Sequence, residues 1–358
     1  MNIDFHYGVI YILARTAGFD KAEAEIVAHA CEYVDDSTVT GTLDFKGGQS
    51  FERFASAHEM YDYKNFLRDT DKRVWAPFHF LPACEGDTFD EKCVCRPDSK
   101  PARAMVQEAI RHRESENALH RLGVALHVYV DTWAHQRFTG TISATNVVHD
   151  LHSDDHDSGS LLAQLRDKIR AADNLIESDI LDMKLALGHG AALHFPDLPW
   201  AKWSYTNGNG EPIKRDNLPQ FLTAADMTFR AMKGFQCGKE EYADLDGLSN
   251  DVKEALERLL QENRSEDPDA RLKMLMAYVA QGEIPRLKEE VPVYIAKGPG
   301  SWKWVATSIT SHSDDGDRPP EWTAQFEQSD YRKFHDAVKE HRAFITGTLL
   351  PSNDVRLA

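Results

Sequence analysis

The stretch HRLGVALHVYVDTWAHQRF, residues 120–138, decides the fold class. His127, Asp131 and His135 recur at every fourth position, and His120 lies two turns upstream. At 3.6 residues per turn, all four fall on one narrow stripe of a helix. Almost everything off that stripe is apolar: Leu122, Val124, Ala125, Leu126, Val128, Val130, Trp133 and Ala134. A helix that is apolar nearly all round is a buried helix. Buried His and Asp are unfavourable unless each finds a partner, and one divalent cation satisfies several at once. A single His there would read as part of a core hydrogen-bond network; three or four ligand-type residues on one stripe favour a metal.

The chain of 358 residues can bury a large core in one domain or two. Apolar content of 42% and seven Trp place it among folded proteins. A net charge of -17 speaks against duplex nucleic acid or an anionic membrane as partner, both of which require basic faces. It leaves room for a small phosphate substrate, because bound metal ions invert the field inside a pocket. No apolar run approaches the ~20 residues of a membrane span. The first residues, MNIDFHYGVIYILARTAGF, lack the basic start and small-residue cleavage site of a signal peptide, so a cytoplasmic location is expected. Five cysteines form no disulfide framework in a chain this long. Cys84, Cys93 and Cys95 crowd one polar loop but supply three sulfurs and no obvious fourth ligand, which disfavours a zinc clip.

The expected fold is mainly α: a multi-helix bundle with an internal metal site and a small β element near the C-terminus. Asp20 with Glu23 reads as a capping box opening a helix over 21–34. That helix ends on Asp35-Asp36, against the helix dipole, and a violated local rule is where function is expected. Further helices are expected over 102–119, 173–187, 249–263, 267–281 and 331–345, with strands at 290–296 and 302–308. The run HDLHSDDHDSGS, 149–160, reads as a solvated loop. Its dense His and Asp are weak evidence for a site, because such a loop must first be ordered. Residues 1–234 read as a helical, hydrolase-like, metal-binding domain. Residues 235–358 read as a mostly helical extension with few ligand-type residues, packed as part of the same domain or beside it.

His6, Asp36, His79, His127, Asp131, His135 and His189 sit at helix starts, helix ends and on the central helix, as ligands converging inside a bundle would. Three alternatives stay open: Asp35 for Asp36, His58 for His79, and His149 for His189. Beyond His189, His194 and Asp197 are further donors.

These residues resemble the zinc-dependent phospholipase C and S1/P1 nuclease superfamily of all-helical enzymes with three zinc ions. The matching features are His6 near the start, Asp35 or Asp36 one helix later, His79 within FHFLP, and the His127–Asp131 pair after Leu122-Gly123. The segments MNIDFHYGVIYILAR, VWAPFHFLP, HRLGVALHVYVDTWAHQ and LGHGAALHFPDLPW more closely resemble an uncharacterised bacterial family distantly related to those enzymes. The superfamily resemblance implies that Asp131 bridges metals and that two or three zinc ions are bound, other divalent metals being the alternative. In that superfamily a freed N-terminal Trp ligates zinc through its amine. This chain begins at Met1, which implies an altered or missing zinc site. The superfamily's next His lies six residues after the bridging Asp, whereas His135 lies four after Asp131; its closing His-x-x-x-Glu pair has no clean counterpart, and His189 is the preferred substitute.

The sequence therefore reads as a zinc-dependent hydrolase of a phosphodiester or phospholipid, phospholipase C-like or nuclease-like. Asp36 and Asp131 are its catalytic carboxylates, and the substrate is a small molecule or lipid. Adjacent His-Asp pairs, such as His149-Asp150 and His335-Asp336, raise an HD-type phosphohydrolase as rival. Other classes are a non-catalytic binding protein stabilised by zinc, and a secreted effector toxin of the same chemistry with an immunity partner. No Gly-x-Ser-x-Gly or Gly-x-x-x-x-Gly-Lys-Ser/Thr motif competes.

Overall fold

Asp20 opens the first long helix as its sequence dictates. Its carboxylate accepts from the Glu23 N–H at 2.9 Å, and the Glu23 carboxylate accepts from the Asp20 N–H at 2.9 Å. The structure is a computed structural model describing residues 1–57, 72–153, 188–314 and 318–357. The chain starts with a wide π-turn at Asp4–Val9 that runs into α1 (Ile10–Ala17), which Gly18 ends at a φ of 106°. Next come α2 (Lys21–Asp36) and the antiparallel pair β1 (Gly41–Asp44) and β2 (Ser50–Arg53). Helices α3 (Lys72–Phe78), α4 (Phe89–Cys93) and α5 (Lys100–Arg111) precede the central helix, α6 (Ala118–Ala134). The helix expected over 102–119 thus breaks after Arg111, because His112 caps it and residues 112–117 turn the chain into α6.

Strands β3 (Val148–Ser153), β4 (Lys202–Asn207) and β5 (Pro212–Asp216) form an antiparallel sheet in the order β3-β4-β5. Then follow α7 (Asn217–Cys237), α8 (Asn250–Glu262), α9 (Pro268–Gln281), α10 (Trp302–Thr307), α11 (Ala324–Glu327) and α12 (Asp330–Phe344). The protein is mainly α-helical. No helix among the described residues is long and apolar enough to cross a membrane.

The β structure is not where the alternating pattern placed it. Residues 302–308 begin with Trp302 and Trp304 at alternate positions, yet most of the run is helix α10, started by the Ser301 hydroxyl accepting from the Trp304 N–H at 3.3 Å. Residues 290–296 pair with no strand; Pro292 lacks a donor and its carbonyl serves the Tyr7 hydroxyl instead. Conversely, the first residues of the run 149–160 belong to β3. The turn-rich segment after Trp200 is a hairpin whose loop is organised by the Asn207 side chain, which accepts from the N–H groups of Asn209 and Glu211. The helix expected over 173–187, His58 and His156 lie outside the described residues.

One apolar core draws on both halves of the chain, including Phe5, Leu126 and Met232 with Leu256, Leu275 and Val355. The segment 235–358 therefore packs into the core of 1–234. Two smaller clusters flank it, one behind α2 and α6 around Val34, Val124 and Phe334, the other under the sheet around Phe80, Phe138 and Trp203.

The crossing that positions the ligand-type residues is between α2 and α6. At Gly123 a Cβ would lie 2.6 Å from both the Ala30 Cβ and the Val27 carbonyl oxygen. Only glycine permits this approach, which sets Cys31 and Asp35 of α2 against His127 and Asp131 of α6. Ala is about 1 kcal/mol better than Gly in a helix interior, but backbone has to move to admit it here. Gly123→Ala is therefore expected to destabilise the protein by about 1–3 kcal/mol, measured by denaturant unfolding; a neutral or stabilising result contradicts the tight crossing.

Candidate metal centre

His127 and Asp131 lie one turn apart on the same face of α6, fully buried. His127 Nδ1 is 2.8 Å from the Cys31 carbonyl oxygen. A carbonyl only accepts, so Nδ1 carries a proton and Nε2 is the nitrogen turned to the cluster. His79 repeats this arrangement with the opposite nitrogens: Nε2 lies 2.9 Å from the Ser56 carbonyl, and Nδ1 is turned to the cluster. These two inward nitrogens face each other at 3.3 Å. Around them stand Asp131 Oδ2, at 3.4 and 3.6 Å, and Asp35 Oδ1, at 3.7 and 3.5 Å. Two imidazole nitrogens and two carboxylates this close need a cation or a shared proton between them.

The neighbouring groups are built alike. His135 at the end of α6 gives Nδ1 to the His79 carbonyl at 2.8 Å and turns Nε2 toward Asp197 Oδ1 at 3.4 Å. His189 gives Nδ1 to the Leu193 carbonyl at 3.2 Å and turns Nε2 toward Asp197 Oδ2 at 3.5 Å. His6, on the π-turn, stacks on His127 with ring centroids 4.0 Å apart. Its Nδ1 lies 3.7 Å from Cys31 Sγ and its Nε2 3.2 Å from Asp131 Oδ1. His6 Nε2, Asp131 Oδ2 and Asp197 Oδ1 are buried with no hydrogen-bond partner among the described residues. Three donor groups result: His6 with Cys31 and His127; Asp35 with His79 and His127; His135 with His189 and Asp197. Asp131 lies against all three through His6, His127 and His135.

Electrostatics follow from this geometry. Burial, then His127 and the Met1 ammonium, push His6 down to about 3, so its ring is neutral. Burial similarly lowers His189 to about 4, against the pull of Asp197. Burial alone would raise the Asp131 and Asp197 carboxyls, but the surrounding His and ammonium groups hold both well below the usual range. Burial opposes charge on His79 as well, yet Asp131 and Asp35 raise it.

The α-amino group of Met1 is buried here too, 2.5 Å from Asp131 Oδ1 and 3.3 Å from Asp197 Oδ1. Burial disfavours its charge, but Asp131, Asp197 and Asp35 outweigh that and push it up to about 11. Where the sequence implies an altered or missing zinc site, this amine stands between two of the carboxylates.

Of the residues singled out from sequence, His6, His79, His127, Asp131, His135 and His189 come together. Asp36 does not. It does share a face with His29, but that face turns to the segment after α9, where the Tyr294 hydroxyl donates to Asp36 Oδ2 at 2.7 Å and His29 stacks on Trp302 at 3.9 Å. Asp35, one residue and 100° away, takes the place at the cluster. His120 also points elsewhere, with Nε2 3.1 Å from Asp330 Oδ1. His149 is exposed on β3, and His194 is exposed while Asp197 is buried. Cys84, Cys93 and Cys95 belong to none of the three groups. Cys31 and the Met1 amine were missed. The signal for Cys31 was its spacing of four from Asp35, which repeats His127–Asp131 on the helix opposite.

The fold and cluster thus define a mainly α-helical protein with a buried His and Asp centre. The chain belongs to a family of unknown function, DUF6765, whose profile matches residues 1–349. No curated protein matches it, and no solved structure does.

Removing the fully buried His127 ring leaves a cavity between α2 and α6 and the Cys31 carbonyl without its donor. His127→Ala is expected to destabilise the fold by about 2–5 kcal/mol. Replacing the exposed pair His149 and His152 by Ala should cost less than about 1 kcal/mol. Denaturant unfolding of both variants checks this, and equal losses contradict the placement.

Proposed function

We propose that this cluster binds two or three zinc ions and hydrolyses a phosphodiester or phospholipid. The observation that carries the reading is the pair of inward ring nitrogens, His79 Nδ1 and His127 Nε2, facing each other at 3.3 Å between two carboxylates. A proton can relieve one such pair; a divalent cation is a partner for all four donors at once. Every His of the cluster has its other ring nitrogen held, four by a backbone carbonyl or, for His6, by the Cys31 sulfur, which is how ligating imidazoles are oriented.

Asp35, His79 and His127 would hold one ion and His135, His189 and Asp197 a second, with Asp131 beside both; His6 and Cys31 are the donors for a third. Zinc held there would supply Lewis acidity, lowering the pKa of a water to roughly 7 and drawing charge from phosphoryl oxygens. The remaining work falls to the chain's own groups. Asp35 has a side chain 38% exposed, whereas Asp131 is 1% exposed. Asp35 is thus the carboxylate that solvent and substrate reach, placed to orient a water and take its proton. Asp131, sealed from solvent, serves as a fixed negative charge. Phe80 stacks on His135 at 4.7 Å and keeps water off that side. The acidic surface favours small or neutral-headed substrates over polyanions. The convergence of His6, Asp35, His79 and the His127–Asp131 pair supports the resemblance to the zinc-dependent phospholipase C and S1/P1 nuclease superfamily. Of the adjacent His-Asp pairs, His149-Asp150 and His335-Asp336 stand outside the cluster, so neither supports an HD-type reading, and His156-Asp157 lies outside the described residues.

The burial of His6, His127 and Asp131 favours one second reading, a zinc ion retained for stability alone. Activity separates the two. Hydrolysis of bis-p-nitrophenyl phosphate, phospholipid vesicles and single-stranded nucleic acid is assayed with zinc present. Asp131→Asn is expected to abolish turnover. Asp35→Asn should slow it by ~10²–10⁴, and Asp36→Asn should leave it within a few-fold. Zinc-loaded protein inactive on all three substrates, or Asp36→Asn losing as much as Asp35→Asn, contradicts the proposal.

A further inference from the structure

The segment 235–358 contributes no member of the three donor groups among the described residues. Yet three of its side chains reach across the molecule, and each lands within two positions of a member. Arg271 on α9 is fully buried and grips Asp4 with two hydrogen bonds, Nε to Oδ2 and Nη2 to Oδ1, both 2.8 Å. Asp4 begins the π-turn and precedes His6 by two residues. The Tyr294 hydroxyl donates to Asp36 at 2.7 Å, next to Asp35. His341 on α12 donates from Nε2 to the Pro77 carbonyl at 2.9 Å, two residues before His79. These contacts hold the three peripheral ligand-bearing segments, the π-turn, the end of α2 and the end of α3.

We infer that residues 235–358 are a positioning collar for the metal centre, with Arg271, Tyr294 and His341 setting where His6, Asp35 and His79 stand. The inference rests on the metal-binding reading above. The physical reason is local. A π-turn is wide and rarely stable alone, and a bidentate guanidinium–carboxylate pair fixes both the distance and the rotation of Asp4. Carboxylates are also unfavourable at the C-terminal end of α2. Tyr294 takes up Asp36 and leaves Asp35 alone on the face of the cluster. None of the three positioning residues touches the donors, so their effect is read in affinity at those donors.

The test is zinc affinity of the full-length protein, by competition with a colorimetric chelator well below the unfolding temperature. Tyr294→Phe deletes one hydroxyl and keeps the ring. Arg271→Lys keeps the charge opposite Asp4 and removes the two-pronged grip. Val279→Ala, a fully buried core change on α9, is the comparator that destabilises without touching a positioning contact. Tyr294→Phe and Arg271→Lys are each expected to weaken zinc binding 10- to 100-fold, while Val279→Ala lowers the unfolding temperature and keeps wild-type affinity. Wild-type affinity in both positioning variants, or an equal loss in Val279→Ala, overturns the collar while leaving the metal reading intact. A wild-type protein that binds no zinc overturns both. Should Arg271→Lys fail to fold, Tyr294→Phe alone decides.

Discussion

Two imidazole nitrogens turned toward each other at 3.3 Å, with two carboxylates beside them, need a cation or a shared proton between them. In this protein that arrangement is imposed: the Cys31 and Ser56 carbonyls fix the protons of His127 and His79 on their far sides. Folding therefore brings together groups that are unfavourable without a cation, and a large apolar core compensates for doing so. The charges already present answer the same demand. The Met1 ammonium stands between Asp131 and Asp197, and His79 is raised toward its protonated form.

The rest of the fold serves to hold this arrangement. Gly123 lets α2 and α6 touch backbone to side chain, so that the Cys31 carbonyl can orient His127 from the opposite helix. The His79 carbonyl orients His135, so one ligand-type residue fixes another. The C-terminal half secures the peripheral segments from outside. Arg271, with its guanidinium buried against Asp4 and further bonded to the Ser265 and Glu266 carbonyls, joins the two halves by an interaction that neither could satisfy alone.

The central helix was legible because its signal is periodic. Polar residues at every fourth position in an apolar surround specify both the helix and the stripe that faces the site. The helices over 21–34, 249–263, 267–281 and 331–345 were legible for the same reason, sharpened by caps such as Asp20. What failed was alternation: residues 302–308 carry a strand pattern, but the Ser301 cap and the stacking of Trp302 on His29 make most of that run a helix. The choice between Asp35 and Asp36 could not be read either. Adjacent helix positions differ by 100°, and which one faces inward is set by Tyr294, some 250 residues away in sequence. The Met1 amine was invisible for a simpler reason, since a backbone group carries no letter in the sequence.

The central claim is that a metal ion, and not a shared proton, joins His79 to His127. Anomalous X-ray diffraction at the zinc absorption edge, from crystals of protein purified without a histidine tag, tests it most directly. The account predicts an anomalous peak within ligand distance of both His79 Nδ1 and His127 Nε2, with at least one more beside Asp197. Crystals grown with zinc that show no anomalous density there, the two imidazoles sharing a hydrogen bond instead, would contradict it.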